Sequence, residues 1–484
     1  MNRTTDMYIG GRLVGAQSGA RLANVNPATG QQTSALARGS AEDVDAAAQA
    51  AHSAKEVWST TPAEQRAQIL ERTADVIAQN LDELAVMESE DTGKPLSLAR
   101  QIDIPRAVAN FRFFASAIRQ ESLGAHPMPT ALNYTQRRPL GVVGLITPWN
   151  LPLYLLTWKT APALAMGNTV VAKPSELTPQ TATRLAEILT EAGLPAGAFN
   201  VVHGLGPEVG QPLVEHPQVS GISFTGGTAT GARVAATAAP RFKKLSLELG
   251  GKNATIVFAD ADLDAAVDGA VRAGFANQGE ICLCGSRVLV ERSIYDAFLE
   301  RYVERVAALR VGPPMDAETQ VGALISTAHR DKVESYIELA REEGGAVLCG
   351  GTRPKLAPAF ADGAYLSPTV VAGLSSSCRT ATEEIFGPVV TTHPFDDDGE
   401  PIDMANASRY GLSASVWTRD LRRAHRVSEA LDVGLVWVNT WLLRDLRVPF
   451  GGVKDSGVGR EGGRYSMEFF SESKNICIHL GDPL

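Results

Sequence analysis

The sequence predicts an α/β protein with parallel sheets, divided into two large domains. Three observations predict it. The chain has 484 residues, more than one hydrophobic core ordinarily serves. From Val142 onward, short apolar runs alternate with helical stripes, which is the pattern of βαβ units. A second alternating series begins near Asn253.

The elements read as follows. Gly10-Gly11 lies between short β-prone runs and reads as a hairpin turn. Ala41 to Trp58 is alanine-rich, with Glu42 and Asp43 in its first turn, and reads as a helix. Helical pattern continues from Pro62 to Glu90, and Pro95 and Pro105 then punctuate a more irregular region. Val142 to Ile146 and Thr169 to Lys173 are short apolar runs, read as buried strands. Ala182, Leu185, Ala186, Leu189 and Ala192 form a helical stripe. Phe199 to Val202 and Ile222 to Phe224 return to strand. The second series opens with a strand at Ala254 to Phe258, a helix to about Gln278 and a strand at Ser286 to Val290. It continues past Gly411. The acidic run from Asp396 to Glu400 reads as a solvated loop, and Asn475 to Leu480 alternates like a strand able to extend a neighbour's sheet.

Composition narrows the classes. Hydrophobic residues make up 44% and charged residues 20%, ordinary for a soluble globular protein. A net charge of -9 argues against a nucleic-acid-binding surface. The five cysteines, Cys282, Cys284, Cys349, Cys378 and Cys477, are odd in number and too sparse for a disulfide framework. Cys282 and Cys284 form C-x-C with no second pair nearby, so no metal site is expected. The first residues lack the apolar core of an export signal. The most apolar stretch, Val142 to Trp158, is broken by Pro148, Asn150 and Pro152 and does not read as a membrane span. The expected compartment is the cytoplasm.

Several residues stand out chemically. A lone cysteine is ordinarily a small buried hydrophobe. Cys282, however, follows a polar, glycine-containing turn of Asn277, Gln278, Gly279 and Glu280, which presents a side chain. Cys284, two residues on, would point elsewhere or serve only as packing. Asn150 follows Trp149 after the first strand of the series. It reads either as a turn asparagine or as an amide donor to a developing oxyanion. Glu248 lies between two leucines in Leu247-Glu-Leu-Gly-Gly251, where a carboxylate needs a cavity or a partner. An apolar surround would raise its pKa toward the range useful to a base. A standard G-x-G-x-x-G is absent, and Gly204-Leu-Gly206-Pro-Glu-Val-Gly210 has one residue too many. Phe224-Thr-Gly-Gly227 precedes a helix whose N-terminus can face a phosphate.

Phe275-Ala-Asn-Gln-Gly-Glu-Ile-Cys282-Leu-Cys-Gly-Ser-Arg287 resembles the active-site cysteine signature of the aldehyde dehydrogenase superfamily. The resemblance extends through Thr147-Pro-Trp-Asn150, Lys173-Pro-Ser-Glu176, Phe224-Thr-Gly-Gly227, Leu247-Glu-Leu-Gly-Gly251, Glu383-Glu-Ile-Phe-Gly-Pro388 and Pro449-Phe-Gly-Gly452, in the family's order. It implies that Cys282 is a nucleophile forming a thiohemiacetal and then a thioester, with Asn150 as oxyanion donor and Glu248 as general base. It implies NAD as cofactor, in an atypical dinucleotide mode. Lys173 and Glu176 would bind the adenosine ribose, and Glu176 would repel a 2'-phosphate, favouring NAD over NADP. Ile146, Thr147, Pro148, Trp149, Ser175, Gly206, Gly210, Phe224, Thr225, Gly226, Gly227, Leu249 and Gly250 complete the implied cofactor surface. Glu384 and Phe386 look like the pair that positions the nicotinamide ribose and ring.

The implied architecture is an aldehyde dehydrogenase-like fold. Residues 1–116 and 138–249 would form a Rossmann-like NAD-binding domain and 250–448 an α/β catalytic domain. Residues 117–137 and 465–484 would form an oligomerisation arm serving a homodimer or homotetramer. Within the superfamily the chain resembles the muconic semialdehyde dehydrogenases through Asp103-Ile-Pro-Arg106, Asn110-Phe-Arg112, Pro148-Trp-Asn-Leu-Pro-Leu153 and Trp441-Leu-Leu-Arg444-Asp-Leu-Arg447. Gly279-Glu-Ile-Cys-Leu-Cys284 looks like the 2-aminomuconate 6-semialdehyde branch, whereas Arg444-Asp-Leu-Arg447 before Pro449-Phe-Gly-Gly is similar to the 2-hydroxymuconate branch. Arg106 and Arg444 are the expected carboxylate-binding residues, with Arg447 a weaker candidate. A betaine-type or general aldehyde dehydrogenase is the alternative that the two arginines disfavour. A cofactor-free thiol hydrolase is the other, and Lys173, Glu176 and Glu384 argue against it.

Overall fold

The computed structural model describes residues 3–481. Two large sheets dominate it. The first has eight strands, in spatial order Gly457–Val458, Lys244–Glu248, Val219–Thr225, Val142–Ile146, Thr169–Lys173, Phe199–Val201, Met7–Ile9 and Arg12–Val14. From Lys244–Glu248 to Phe199–Val201 the pairing is parallel, and the flanking strands are antiparallel to their neighbours. The chain starts this core at Val142–Ile146 and winds outward to Phe199–Val201. It then returns to the other side of Val142–Ile146 with Val219–Thr225. Strand order reverses there, and an open α/β sheet leaves a ligand crevice beyond the carboxyl ends at such a point. Residues 146–149 and 224–227 leave the sheet at that crevice.

Val142–Ile146 and Thr169–Lys173 are buried at every position, as parallel strands covered on both faces must be. Helix Ala41–Thr60 contributes Val44, Ala47, Ala48, Ala51, Ala54 and Trp58 to the interior, the spacing of one helical face. Its start is fixed where Ser40 N donates to Asp43 Oδ2 at 2.9 Å. Trp58 is fully buried, and its indole N–H donates to the Leu164 carbonyl at 3.1 Å, joining this helix to helix Pro152–Ala165.

The second sheet has seven strands, in order Ala346–Cys349, Thr369–Ala372, Val389–Phe395, Arg287–Glu291, Ala254–Val257, Ser413–Trp417 and Leu435–Val438. All its pairings are parallel except that of Ala346–Cys349. A smaller antiparallel sheet joins Ala125–Pro127, Ala131–Pro139 and Ser471–His479, with the last strand at its edge. Among the described residues no helix is long and apolar enough to cross a membrane.

Two local readings differ from the sequence expectation. The helical stretch from Pro62 to Glu90 is two helices, Ala63–Gln79 and Leu81–Thr92. They part at Asn80, whose side-chain amide donates to the Val76 carbonyl at 2.7 Å in competition with the helical ladder. The region marked by Pro95 and Pro105 is helical rather than irregular. Leu96–Leu98 runs through a π-turn, Ala99–Asp103, into helix Ile104–Arg119. Pro105 occupies the first turn of that helix, where a missing N–H costs little. The acidic run is an exposed loop as expected, and its charges are paired at the surface, Asp396 with Arg292 at 2.5 Å and Asp398 with Arg423 and Arg426.

Replacing Trp58 by alanine should cost about 3–5 kcal/mol, because it removes a large packed side chain together with its hydrogen bond. Thermal unfolding should show a midpoint several degrees lower. A midpoint equal to the parent's would mean that the indole does not tie the two helices together.

Candidate active site

Helix Leu263–Phe275 ends in a turn of unusual backbone. Asn277, Gln278 and Gly279 have φ of 50°, 56° and 73°, three consecutive left-handed residues. Asparagine tolerates this conformation and glutamine much less so. Side-chain hydrogen bonds hold it in place. Asn277 Nδ2 donates to the Asn150 carbonyl at 3.2 Å and to the Glu280 carbonyl at 3.3 Å, and Gln278 Nε2 to the Ala323 carbonyl at 3.2 Å. Gly279 is obligatory, since a Cβ there would lie 2.4 Å from the Gly387 carbonyl oxygen. Asn253 clamps the following segment. Its Nδ2 donates to the Cys282 and Cys284 carbonyls at 2.8 and 3.0 Å, while its Oδ1 accepts from Ser413 N at 3.0 Å. Cys282 emerges partly exposed, and Cys284 is buried.

The surroundings of Cys282 are apolar, including Leu151, Tyr154, Trp441 and Phe450. Burial pushes its thiol well above the ordinary value, the Glu248 and Glu384 charges add to this, and Arg444 opposes them. Burial also pushes Cys284 up to about 12. Glu248 ends strand Lys244–Glu248, and both of its carboxyl oxygens are buried without a hydrogen-bond partner. Burial raises its pKa well above the carboxylate range. Glu461 adds to the rise, and Lys159, Arg460 and Arg444 oppose it. Glu461 is engaged elsewhere, with Lys159 Nζ donating to its Oε1 at 2.6 Å and to Ser223 Oγ at 2.8 Å. Burial thus opposes ionisation at both Cys282 and Glu248.

Asn150 is bound directly to the cysteine turn, its Nδ2 donating to the Glu280 carbonyl at 2.8 Å. The amide has two hydrogens, so one remains for another acceptor. Arg106 and Arg444 converge on Tyr154. Arg444 Nη1 donates to the Tyr154 hydroxyl at 3.0 Å, and the Arg106 guanidinium carbon lies 5.2 Å from the Tyr154 ring centroid. Arg444 also lies over Phe450 at 4.0 Å. Among the described residues neither arginine pairs with a carboxylate, whereas Arg447 pairs with Asp445 at 2.5 Å on the surface. Burial, and secondarily the Arg444 charge, lowers the Arg106 pKa.

A cleft of about 420 Å³ occupies the crevice at the point of strand reversal. Ile146, Thr147, Pro148, Trp149, Lys173, Ser175, Glu176, Gly206, Gly210, Phe224, Thr225, Gly226 and Gly227 all line it. It fits a dinucleotide on three counts. A Cβ at Gly206, Gly210 or Gly227 would meet no protein atom within 4 Å, so a ligand can approach the main chain there. The Thr147 and Thr225 hydroxyls are buried without partners. Lys173 Nζ and Glu176 Oε2, 2.9 Å apart, offer a donor and an acceptor to a ribose diol. Leu249, Gly250, Glu384 and Phe386 lie outside this cleft, toward Cys282. Glu384 Oε1 accepts from Gly251 N at 3.0 Å, and the Phe386 ring stands edge-on to Trp149 with centroids 5.3 Å apart.

Sequence reasoning missed Tyr154, Lys159, Asn253 and the cleft residue Arg233. A signal existed only for Lys159, a charged side chain in the otherwise apolar helix Pro152–Ala165. The others are polar residues whose partners are remote in the chain.

A profile of the "Aldehyde dehydrogenase family" matches residues 13–476. The chain is 49% identical over 480 residues to a 2-aminomuconic 6-semialdehyde dehydrogenase from Pseudomonas sp., covering 98% of this chain and 97% of that one. It is 49% identical to a 2-hydroxymuconic semialdehyde dehydrogenase from Pseudomonas sp. (strain CF600), covering 98% and 99%. Among solved structures it is similar to PnpE from Pseudomonas sp. WBC-3. The complex of PnpE with nicotinamide adenine dinucleotide superposes with a TM-score of 0.97 at 43% identity, over 99% of this chain and 98% of that one.

The raised thiol pKa predicts the alkylation behaviour of the enzyme without cofactor. The reactive thiolate is the minor form, and its fraction grows about tenfold per pH unit below the pKa. The rate at which iodoacetamide alkylates Cys282, followed by mass spectrometry, should therefore rise from pH 7 through pH 9 without a plateau. A plateau near pH 7 would show a thiolate already formed at rest.

Proposed function

The chain belongs to the aldehyde dehydrogenase family, and on that premise we propose that it oxidises a muconic semialdehyde to the dicarboxylate with NAD, through a thioester on Cys282. The single observation that carries the substrate class is the pair Arg106 and Arg444. Among the described residues the two guanidinium groups meet at Tyr154 without carboxylate partners, and the Arg444 charge acts on both Cys282 and Glu248. A site of this kind favours an anionic substrate and opposes a cationic one, which disfavours the betaine-type reading. The 2-aminomuconate form is the substrate we put first, on the Gly279-to-Cys284 segment. The 2-hydroxymuconate form is second, and the relative named for it is as similar.

The chain's residues divide the work as follows. Arg106 and Arg444 hold the distal carboxylate and set the aldehyde carbon against Cys282. Glu248 in its carboxylate form accepts the thiol proton, and the thiolate adds to the carbonyl carbon. The Asn150 amide hydrogen left free by Glu280 and the Cys282 N–H hold the resulting alkoxide. NAD, when bound, accepts the hydride that leaves this carbon. The carbon–sulfur bond remains as a thioester. Glu248 releases the thiol's proton to solvent and then takes one from water as the water attacks the thioester. The carbon–sulfur bond breaks, the departing thiolate recovers the proton from Glu248, and the acid product ionises to the carboxylate.

We place the cofactor-binding domain at 1–116 and 138–249, the catalytic domain at 250–448 and the assembly arm at 117–137 and 465–484. The edge position of Ser471–His479 supports association with further copies into a dimer or tetramer. We assign the protein to the cytoplasm.

Arg106→Ala and Arg444→Ala each remove charge-assisted hydrogen bonds, worth roughly 1.5–3 kcal/mol. Each variant should lose about ten- to a hundredfold in kcat/KM for muconic semialdehydes and little for an uncharged aliphatic aldehyde. Equal losses on both substrates would mean a structural role and sink the substrate assignment. Glu176→Gln should separately relax cofactor choice, raising kcat/KM with NADP by about tenfold or more relative to NAD. An unchanged ratio would remove Glu176 from cofactor selection.

A further inference from the structure

Asn150 belongs to no helix or strand. It sits in the loop between strand Val142–Ile146 and helix Pro152–Ala165, so no backbone ladder fixes its peptide. Its buried carbonyl instead accepts two side-chain donors, Lys94 Nζ at 3.0 Å and Asn277 Nδ2 at 3.2 Å. Asn277 belongs to the cysteine turn and fixes Asn150 relative to Cys282. Lys94 arrives from the other side, just past the end of helix Leu81–Thr92, and fixes Asn150 relative to the body of the domain.

The local chain is shaped to deliver that lysine. Gly93 closes the helix in the left-handed conformation at φ 75°, and a Cβ there would lie 2.9 Å from the Ala323 carbonyl oxygen. Ser89 Oγ donates to the Lys94 carbonyl at 2.6 Å. The π-turn Ala99–Asp103 then carries Asp103 onto the ammonium, and both side chains are fully buried. Such turns insert a residue into a helix and re-aim the side chains that follow.

A buried ion pair is costly where a neutral donor would satisfy a carbonyl. Here the charges have a definite arrangement. Asp103 is the carboxylate that touches Lys94. Glu88 faces the cluster from helix Leu81–Thr92, with Oε1 accepting from Leu153 N at 3.2 Å. Burial pushes Glu88 up to about 8, so at neutral pH it stands as the neutral acid. Glu280, in the cysteine turn, is likewise pushed up by burial, and Lys94 opposes that rise, so the ammonium's field reaches the turn itself.

We infer that Lys94 and Asp103 form a positioning pair, holding the Asn150 peptide so that its side-chain amide meets the developing oxyanion. This rests on the oxyanion role proposed for Asn150. Loss of the pair would let the peptide shift, and a displacement of about 1 Å at a reacting group costs roughly a hundredfold in rate.

A double-mutant cycle tests the inference. Lys94→Met should lower kcat about ten- to a hundredfold, with the aldehyde KM and the NAD Kd from fluorescence titration unchanged within about twofold. In an Asn150→Ala background the same change should have little further effect, because the group it positions is gone. A parent-like kcat in Lys94→Met, or the same loss in both backgrounds, overturns the inference. Should Lys94→Met fail to fold, Asp103→Asn keeps the shape and the ammonium. It should give a smaller kcat loss that also vanishes in the Asn150→Ala background, and a loss that persists there overturns the inference. A parent-like kcat in Asn150→Ala alone removes the oxyanion reading and this inference with it. A slow Asn150→Ala beside a parent-like Lys94→Met removes the inference only.

Discussion

Desolvation of ionisable groups between the two large sheets is the constraint on which the rest of the structure depends. Burial is the leading cause of the pKa shift at Cys282, Glu248, Glu280, Glu384 and Glu88 alike. A charge withheld from water must be neutralised, partnered or hydrogen-bonded. The buried lysines show each solution being built. Lys159 is bound to Glu461 and Ser223, Lys94 to Asp103 and the Asn150 carbonyl, and Lys252 to the Thr380 carbonyl.

Against that background the groups left bare become informative. Both Glu248 oxygens, Arg444 Nη2, Asn150 Oδ1 and the Thr147 and Thr225 hydroxyls lack partners although they are buried. They run from the cleft, past Cys282, to the arginine pair. Elsewhere the chain satisfies its arginines freely, as at Arg287, which donates to the Lys252, Met404 and Ala405 carbonyls. Buried polar atoms without partners also occur elsewhere, at Tyr302, Tyr365 and Trp417 among others; the Thr147 and Thr225 hydroxyls differ in lining the cleft, where a ligand's own polar atoms can meet them. The raised acidity constants belong to the same design. In an apolar enclosure a proton passed from the Cys282 thiol to the Glu248 carboxylate exchanges one buried charge for another and adds no second charge.

The motifs also depend on one another through their glycines. A Cβ at Gly451 would stand 2.8 Å from Glu248 Oε1, one at Gly250 2.0 Å from Glu384 Oε2, and one at Gly279 2.4 Å from the Gly387 carbonyl oxygen. Each glycine in one signature thus makes room for an atom of another, hundreds of residues away in some cases. The signatures form a single interlocked object at the centre of the molecule, and side-chain clamps such as Asn253 and Asn277 complete the lock.

Much of this was legible in the residues themselves. The strands at Val142–Ile146 and Thr169–Lys173, the helix from Ala41 and the alternation that builds the second sheet follow from periodicity, because burial on one face or two leaves a local imprint. The residues lining the cleft were legible only through the family resemblance, since no standard glycine motif marks them. The helical path through Pro95 and Pro105 was not, since a proline in a first turn and one between two helices look alike in sequence. Nor were the contacts that set each group's state. Nothing local to Asn150 announces Lys94, nothing local to Arg106 announces Arg444, and nothing local to Glu248 announces Glu461. Sequence by itself determined the elements and the chemical types available, because those depend on neighbours along the chain. Tertiary structure alone decided which charges meet and which stay bare, because electrostatic energy depends on distance and burial in space, and neither is encoded at any single position.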